Sequence, residues 1–511
     1  MEIQFGKQKF NFDGLFTLEM ANNHQGSVEH GKKIIQEFGK VVKDAGVRAA
    51  LKFQFRNLDT FIHPDFVNST TNKHIPRFQS TKLSKDDFAT LVAEVKKEGM
   101  VTMATPFDEA SVKLHSELGI EVLKIASCSA KDWPLLEAVA SVGKPVIIST
   151  GGLTMKEIDN LVSFFEHRLV DFALMHCVAI YPTPNDKLEL NQIELMRKRY
   201  PKITIGFSTH EAPDNMEAIL IAYAKGARIF ERHVGVATDD IKLNAYSSTP
   251  KQITDWFAAY DRAIQICGST TGRVIDQDER NDLRSLMRGV YAKHDIAVGE
   301  ILGEDDVFYA FPIQDGQLSS GSFKVGSVSE RTYKHNEAIS THLVVQKFTP
   351  RQVIYQAIHG VKGMLNEAHI ATGMDATVEL SHHYGLENFD KVGAVIVDCI
   401  NREYCKKLII QLPGQKHPYH FHKKKEEAFQ VLYGEVVLDL EGRERILRPG
   451  DVAVVQRGVN HAFWSETGVI FEEISTTHFN GDSFYEDKTV NDMPREARKT
   501  VLHNWGRHQF D

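Results

Sequence analysis

The sequence predicts a (β/α)8 barrel, then a small turn-rich domain, then an antiparallel β-barrel. Eight short apolar runs recur within about 270 residues, each followed by a stretch of helical period, which is the length and count of such a barrel. A polar or charged residue closes essentially every run. From Gly393 alternating strands return, punctuated by Pro413-Gly414, Tyr433-Gly434, Pro449-Gly450 and Arg457-Gly458, the spacing of a small antiparallel barrel.

In order, the runs are Leu15–Glu19, Ala49–Gln54, Val101–Thr105, Val122–Ile125, Val146–Ser149, Phe172–His176, Ile203–Gly206 and Ile229–Glu231. The helical patterns are Val28–Ala45, Lys85–Lys97, Glu109–Leu118, Pro134–Val142, Lys156–His167, Leu190–Tyr200, Asp214–Lys225 and Ile253–Cys267. An open doubly wound sheet rarely needs eight consecutive parallel units, and it takes its phosphate site from a glycine-rich turn after the first strand, which is absent here. Turn residues from Gly268 to Arg273 close this first domain, residues 1–272. A second domain is expected over 280–348, including Gly289–Glu300. A helical connector follows over 349–380, with its helix from Thr349 to Ala368 and Pro350 in the first turn. The β-barrel is expected over 381–480, and the polar residues 481–511 as an arm.

Composition narrows the function. Apolar residues make up 42%, enough for several cores, and 60 basic against 68 acidic residues give a net charge of −8. No basic footprint points to nucleic acid, no long apolar run to a membrane, and the cytoplasm is the expected location. Five widely spaced cysteines fit reduced thiols rather than a disulfide framework.

In a parallel barrel, the carboxyl ends of the strands build the active site. Here they carry Glu19, then Lys52 and Gln54, Thr105, Lys124 and Ser127, Ser149, His176 and Tyr181, Ser208 and His210, and Glu231 and His233. Two lysines among hydroxyls suit a phosphate and a carboxylate, because ammonium groups supply charge and Ser and Thr supply directed donors. Two histidines on adjacent strands suit a divalent cation. For His176, a satisfied core histidine is as good a reading as a ligand.

Leu18-Glu19-Met20-Ala21-Asn22-Asn23-His24-Gln25-Gly26, Lys52-Phe53-Gln54, Ala104-Thr105-Pro106-Phe107, Leu123-Lys124-Ile125-Ala126-Ser127, Ser149-Thr150-Gly151, His176-Cys177, Tyr181-Pro182-Thr183-Pro184, Gly206-Phe207-Ser208-Thr209-His210 and Glu231-Arg232-His233 resemble, in order, the sialic acid synthase family. That family condenses phosphoenolpyruvate with a sugar aldehyde. The resemblance extends over about residues 1–345, since Tyr291–Glu300 is similar to the family's antifreeze-like (SAF) domain. It implies phosphoenolpyruvate-binding roles for Lys52, Thr105, Lys124, Ser127, Ser149 and Ser208, and a divalent metal, Mn2+ or Mg2+, on His210 and His233. It places Glu19, Gln54, Tyr181 and Glu231 against the acceptor and the reacting carbons. It also implies a domain-swapped homodimer and a role in surface glycan biosynthesis.

The departures fall on acceptor positions. Ala179 stands where the family usually carries Asn, Thr209 where it carries Asp, and Leu243 or Asn244 where an acceptor-contacting Asp is usual. The segment Tyr309–Gly316 lacks the family's Arg. These changes point to an acceptor other than plain N-acetylmannosamine.

Further on, Gly414-x5-His420-x-His422-x4-Glu427-x6-Gly434 and Gly450-x7-Gly458-x2-His461 resemble the two motifs of a cupin. His420, His422, Glu427 and His461 suit a divalent transition metal such as Zn, Mn, Fe or Ni with positions open for a ligand. A cupin here is expected either to isomerise or epimerise a sugar, with Glu427 or Glu441 as base, or to bind a sugar without turnover. The competing readings of the whole chain are a sugar and phosphoenolpyruvate sensor, and an enzyme whose main activity is the cupin's isomerisation.

Overall fold

The computed structural model describes residues 9–69, 71–270, 272–344, 350–373 and 376–505. Thr349, the first residue of the expected connector helix, lies outside these. The chain divides into two compact units, up to Val274 and from Ile275 onward.

In the first unit, β1 (Leu15–Glu19), β2 (Arg48–Phe55), β3 (Val101–Pro106), β4 (Val122–Ile125), β5 (Val146–Ser149), β6 (Phe172–Cys177), β7 (Ile205–Ser208) and β8 (Ile229–His233) close a parallel barrel, β8 pairing back on β1. Helices alternate with the strands, and their starts are written in the sequence. Ser84 with Asp87, Thr154 with Glu157 and Thr249 with Gln252 form reciprocal capping boxes. Gly46 ends the helix Val28–Ala45 in the left-handed conformation that only glycine adopts without strain. That helix turns Ile34, Ile35, Phe38 and Val42 onto the outer face of the barrel.

Strand period two then decides what enters the barrel. Phe16, Leu18, Leu51, Phe53 and Phe55 face the helices. Their alternates face inward in layers. The lower layers are apolar, with Leu15, Ala50, Met103, Val122, Ile147 and Ile229 forming a plug. Above them the inward residues become Glu19, Lys52, Thr105, Lys124, Ser149 and Glu231, which line a cavity. A packed floor carries a polar ceiling.

The seventh strand lies two residues beyond its expected bounds, because Ile203 N–H closes a turn onto Tyr200 before the strand begins. The helix expected from Asp214 starts only at Glu217, since Asn215 spends its side chain capping Ala218 N–H and the chain ahead of it is a loop.

In the second unit, β9 (Gly289–Ala292) pairs with β11 (Val307–Ala310), and β10 (Ile301–Leu302), β12 (Ser327–Ser329) and β13 (Leu343–Val344) form a small sheet. Val290, Ala292, Ile296, Leu302, Val307, Tyr333 and Ile339 are its core.

The remaining strands are β14 (Thr377–Ser381), β15 (Ala394–Asn401), β16 (Tyr404–Gln411), β17 (Lys416–His422), β18 (Glu427–Gly434), β19 (Val436–Leu440), β20 (Arg443–Leu447), β21 (Val452–Val455), β22 (His461–Trp464), β23 (Val469–Thr476), β24 (Ser483–Tyr485) and β25 (Lys499–Leu502). They make a seven-stranded and a five-stranded sheet around Phe429, Val431, Leu438, Phe463 and Phe471. The helix expected in the connector is Pro350–Glu367, and its Ile358, Val361 and Leu365 pack with Val378, Val395, Leu408 and Ile410 in one cluster. The stretch expected as an arm gives each sheet a strand over its described part, residues 481–505: β24 pairs with β17 and β25 pairs with β14. Among the described residues no helix is long and apolar enough to cross a membrane.

Candidate active site

The polar ceiling of the barrel opens into a cavity of about 1310 Å³. Its centre is Lys52, whose Nζ lies 2.7 Å from Glu19 Oε2 and 2.7 Å from Glu231 Oε1. Lys124 Nζ sits 3.7 Å from Glu231 Oε2 and donates to Ser149 Oγ at 2.5 Å. Ser208 Oγ donates to Glu231 Oε1 at 3.0 Å. Ser127 Oγ accepts from Gly151 N–H at 3.0 Å, and a Cβ on Gly151 would come 2.7 Å from that oxygen, so the close approach requires glycine. Thr105 Oγ1 and Glu231 Oε2 are buried with no hydrogen-bond partner. The six residues expected to hold phosphoenolpyruvate thus line one cavity.

Electrostatics separate the two carboxylates. Burial raises Glu19 above the usual carboxylate range, with the neighbouring Glu231 adding to it and Lys52 opposing. Burial acts the same way on Glu231, but Lys124 and Lys52 outweigh it and hold that group down to about 2. Lys52 shows the matching balance: burial alone would lower it, and Glu19 and Glu231 keep it above its ordinary value. Burial brings Lys124 down to about 8, against the pull of Glu231. One carboxyl able to carry a proton therefore stands beside one fixed anion.

His210 and His233 face each other across the exit of β7 and β8, ring centroids 5.4 Å apart. Burial lowers both imidazoles to about 3, helped at His210 by His233 and at His233 by Lys52, so both rings are neutral. His210 Nδ1 is engaged with the Val178 carbonyl at 3.1 Å, which leaves Nε2 as a lone pair. This donor set fits a divalent cation on the two imidazoles, with Glu231 beside them. Tyr181 is half exposed at the rim and its ring centroid lies 4.1 Å from that of His210. Gln54 Nε2 reaches toward Glu19 Oε2 at 3.5 Å. His176 points away from the cavity, bonds the Leu188 carbonyl at 2.8 Å and stacks on Phe207, which is the core reading.

Of the departures from the family pattern, Ala179, Leu243 and Asn244 line the cavity, whereas Thr209 is buried outside its lining. Sequence reasoning missed Arg56 and Arg77, which also line it. The signal for Arg56 was the two-residue period itself, which runs from Lys52 through Gln54 past the end of the strand.

In the β-barrel, His420, His422 and His461 bring their ring nitrogens within 4.8 Å of one another, all buried. Each Nδ1 is tied to a backbone carbonyl, of Pro418 at 3.1 Å, Asp482 at 2.8 Å and Val459 at 3.1 Å respectively. The Nε2 atoms are thereby aimed inward, and those of His422 and His461 have no hydrogen-bond partner. Glu427 Oε2 stands 3.2 Å from His461 Nε2, and Oε1 stands 3.4 Å from His422 Nε2. Fixed tautomers, orphaned ring nitrogens and a carboxylate make a donor set that fits a divalent transition metal. Lys425 was missed: its Nζ lies 2.5 Å from Glu427 Oε1 and 2.9 Å from Glu473 Oε1. Also missed were His417, brought to the same side by a bulge after it, and the His383–Tyr485 pair at 2.9 Å. Glu441 is exposed in the turn between β19 and β20 and does not line this site.

Comparison with known proteins agrees with this architecture. The NeuB family model matches residues 40–271 and the cupin domain model residues 408–472. An uncharacterised protein of Methanocaldococcus jannaschii is 30% identical over 57% of this chain and 82% of its own length. The N,N'-diacetyllegionaminic acid synthase of Campylobacter jejuni is 25% identical over 64% of this chain and 98% of its own. A crystal structure assigned to spore coat polysaccharide biosynthesis protein E of Chromobacterium violaceum is 44% identical, with a TM-score of 0.63, over 64% of this chain and 98% of that one. The chain belongs to the NeuB family and carries a cupin domain C-terminal to its barrel.

Proposed function

We propose that the barrel condenses phosphoenolpyruvate with a sugar aldehyde to give a 3-deoxy-2-keto acid and phosphate. The observation that carries this is the ceiling of the barrel: two lysines and four hydroxyls for an anionic substrate beside two neutral imidazoles, in one cavity of about 1310 Å³. Lys52, Lys124, Ser149 and Ser208 would bind the phosphate and carboxylate, and Thr105 and Ser127 would fix their orientation. A divalent cation held by His210 and His233, Mn2+ or Mg2+, supplies Lewis-acid polarisation of the aldehyde oxygen.

The new bond joins C3 of phosphoenolpyruvate to the aldehyde carbon, and the aldehyde oxygen takes a proton. Water then adds at C2, and the hemiketal collapses: the bond from C2 to the bridging oxygen breaks, the C2 hydroxyl becomes the keto group, and its proton leaves with the phosphate. Glu19, raised by burial, is the group that gives the proton to the alkoxide and takes one from the water. Glu231, held as an anion, stands against the positive charge that develops at C2. Tyr181 and Gln54 would orient the acceptor at the rim.

The product class is a nonulosonic or related ulosonic acid, the kind of acid named in the legionaminic acid synthase relative, and the use is surface glycan synthesis. The cytoplasm suits the five free cysteines. The small strand domain would serve, as an antifreeze-like domain, to build a domain-swapped homodimer, which light scattering on the full chain tests. The cupin would bind a divalent transition metal. Its cavity is about 50 Å³, so the two carbon skeletons of the condensation are assigned to the barrel.

The test is phosphate release from phosphoenolpyruvate with Mn2+ across aldoses and 2-acetamido sugars. Release that depends on one sugar, yields the condensed mass and disappears in His210→Ala is the expected result. Phosphoenolpyruvate binding with no release for any sugar would overturn the reading.

A further inference from the structure

The outer half of the barrel cavity holds a cation that the protein does not neutralise. Arg56 follows Gln54 at the exit of β2, and its guanidinium carbon lies 3.6 Å from the Phe107 ring centroid and 4.1 Å from that of Phe78. Two aromatic faces hold the group and strip its water. Its Nη1 donates to Gln54 Oε1 at 3.1 Å, and its Nε is buried with no partner. Among the described residues no carboxylate stands at ion-pair distance from it; Glu19 and Asp108 act only from further off.

A structural arginine in this same barrel looks different. Arg232 pairs with Glu211 at 2.8 Å and also donates to the carbonyls of Pro213 and Asn215. Its fork is spent on the protein, whereas that of Arg56 is largely unspent. A desolvated cation without a counter-charge is costly, and a ligand anion would relieve that cost. The surroundings point the same way. Lys73, Arg77 and Lys242 also line the cavity, and its acids other than Glu19 and Glu231, which the lysines at the centre already meet, come down to Asp240.

The contacts also say which substrate is concerned. Lys52 holds Glu19 at 2.7 Å, Glu19 lies 3.5 Å from Gln54 Nε2, and Gln54 accepts from Arg56. Arg56 therefore stands one side chain outward from Glu19 and Gln54, which face the acceptor in the condensation reading. We infer that Arg56, held between Phe107 and Phe78, is the seat of an anionic oxygen group, a phosphate or a carboxylate, on the end of the acceptor sugar remote from its aldehyde. With two rings against it and Nε buried, the guanidinium can be met only through its Nη groups, which are charge-assisted donors suited to the oxygens of an anion.

The inference rests on the condensation reading for the word acceptor, so its test avoids turnover. The full chain saturated with phosphoenolpyruvate is titrated in a calorimeter with mannitol, gluconate and mannitol 6-phosphate, none of which carries an aldehyde. One anion is expected to bind at least about tenfold more tightly than mannitol, the better of the two telling carboxylate from phosphate. Arg56→Met should remove that preference, with partial recovery in Arg56→Lys, while phosphoenolpyruvate affinity shows each variant to be folded. Equal binding of all three, no binding of either anion, or an anion preference that survives in Arg56→Met overturns the inference. Failure of the condensation itself would appear elsewhere, as absent phosphate release with every aldehyde.

Discussion

Glu211 and Arg232 meet at 2.8 Å with both side chains sealed from solvent, and they directly follow and precede the two facing histidines, His210 and His233. The pair ties the loop after β7 to β8 and so fixes the distance between the imidazoles. Removing one partner strands a buried charge, which costs about 3–5 kcal/mol. Arg232→Met should lower barrel stability by that amount in urea unfolding and weaken Mn2+ binding. An unchanged unfolding midpoint would show that the pair is dispensable.

Lys124 gives opposite pH trends for stability and for binding. Burial holds it at about 8, below the ordinary 10.5, so between these values the unfolded chain carries the extra proton. Stability from this residue therefore rises with pH across that window. Phosphoenolpyruvate affinity should fall as pH climbs through the same window, because the cation facing the anion is lost. Titrations of the substrate between about pH 7 and 10 would show this limb, and Lys124→Met should flatten it. A limb of equal size in the variant would assign the effect to another group.

In the cupin, Lys425 grips Glu427 through Oε1 and leaves Oε2 beside His461. Chelator-stripped protein should take up a transition ion on the three histidines, followed by Zn2+ or Co2+ titration. Lys425→Met should lower the affinity by about 10–100-fold, as losing an outer partner of a metal ligand does. Wild-type affinity in that variant would remove Lys425 from the centre.

Ending the chain after residue 480 deletes β24 and β25, the pairing partners of β17 and β14. Tyr485 and Trp505 would go with them, each buried in this domain. The truncated protein should lose the cupin's cooperative unfolding transition while the barrel's remains. Two intact transitions would count against this.

The sequence was most readable where one physical signal acts alone. β1, β4 and β5 fall at their expected bounds because buried parallel strands are short apolar runs, and Lys52 and Lys124 stood out because a charge ending such a run conflicts with burial. Nothing local told that Ile358 and Leu365 would meet β15 and β16, since an amphipathic helix shows its apolar face and not what covers it. His417 escaped notice for a different reason. Strict alternation would put it on the opposite face from His420, and only the register shift between them brings both inside. The strands after residue 480 were hidden by polarity, because a short strand at a sheet edge needs few apolar residues.

The pairing of β25 with β14 joins residues about 120 positions apart, Lys499 Nζ bonding Glu379 on the first strand of the domain. On the ribosome the barrel strands emerge first and can close among themselves, since β8 already supplies the partner of β1. The cupin has no such freedom. Its opening strand stays half paired until nearly the whole described chain has been made, with a bare edge offered to other nascent chains. The order of synthesis thus delivers first a sheet that closes on strands already made, and then one whose edge is completed only by β25.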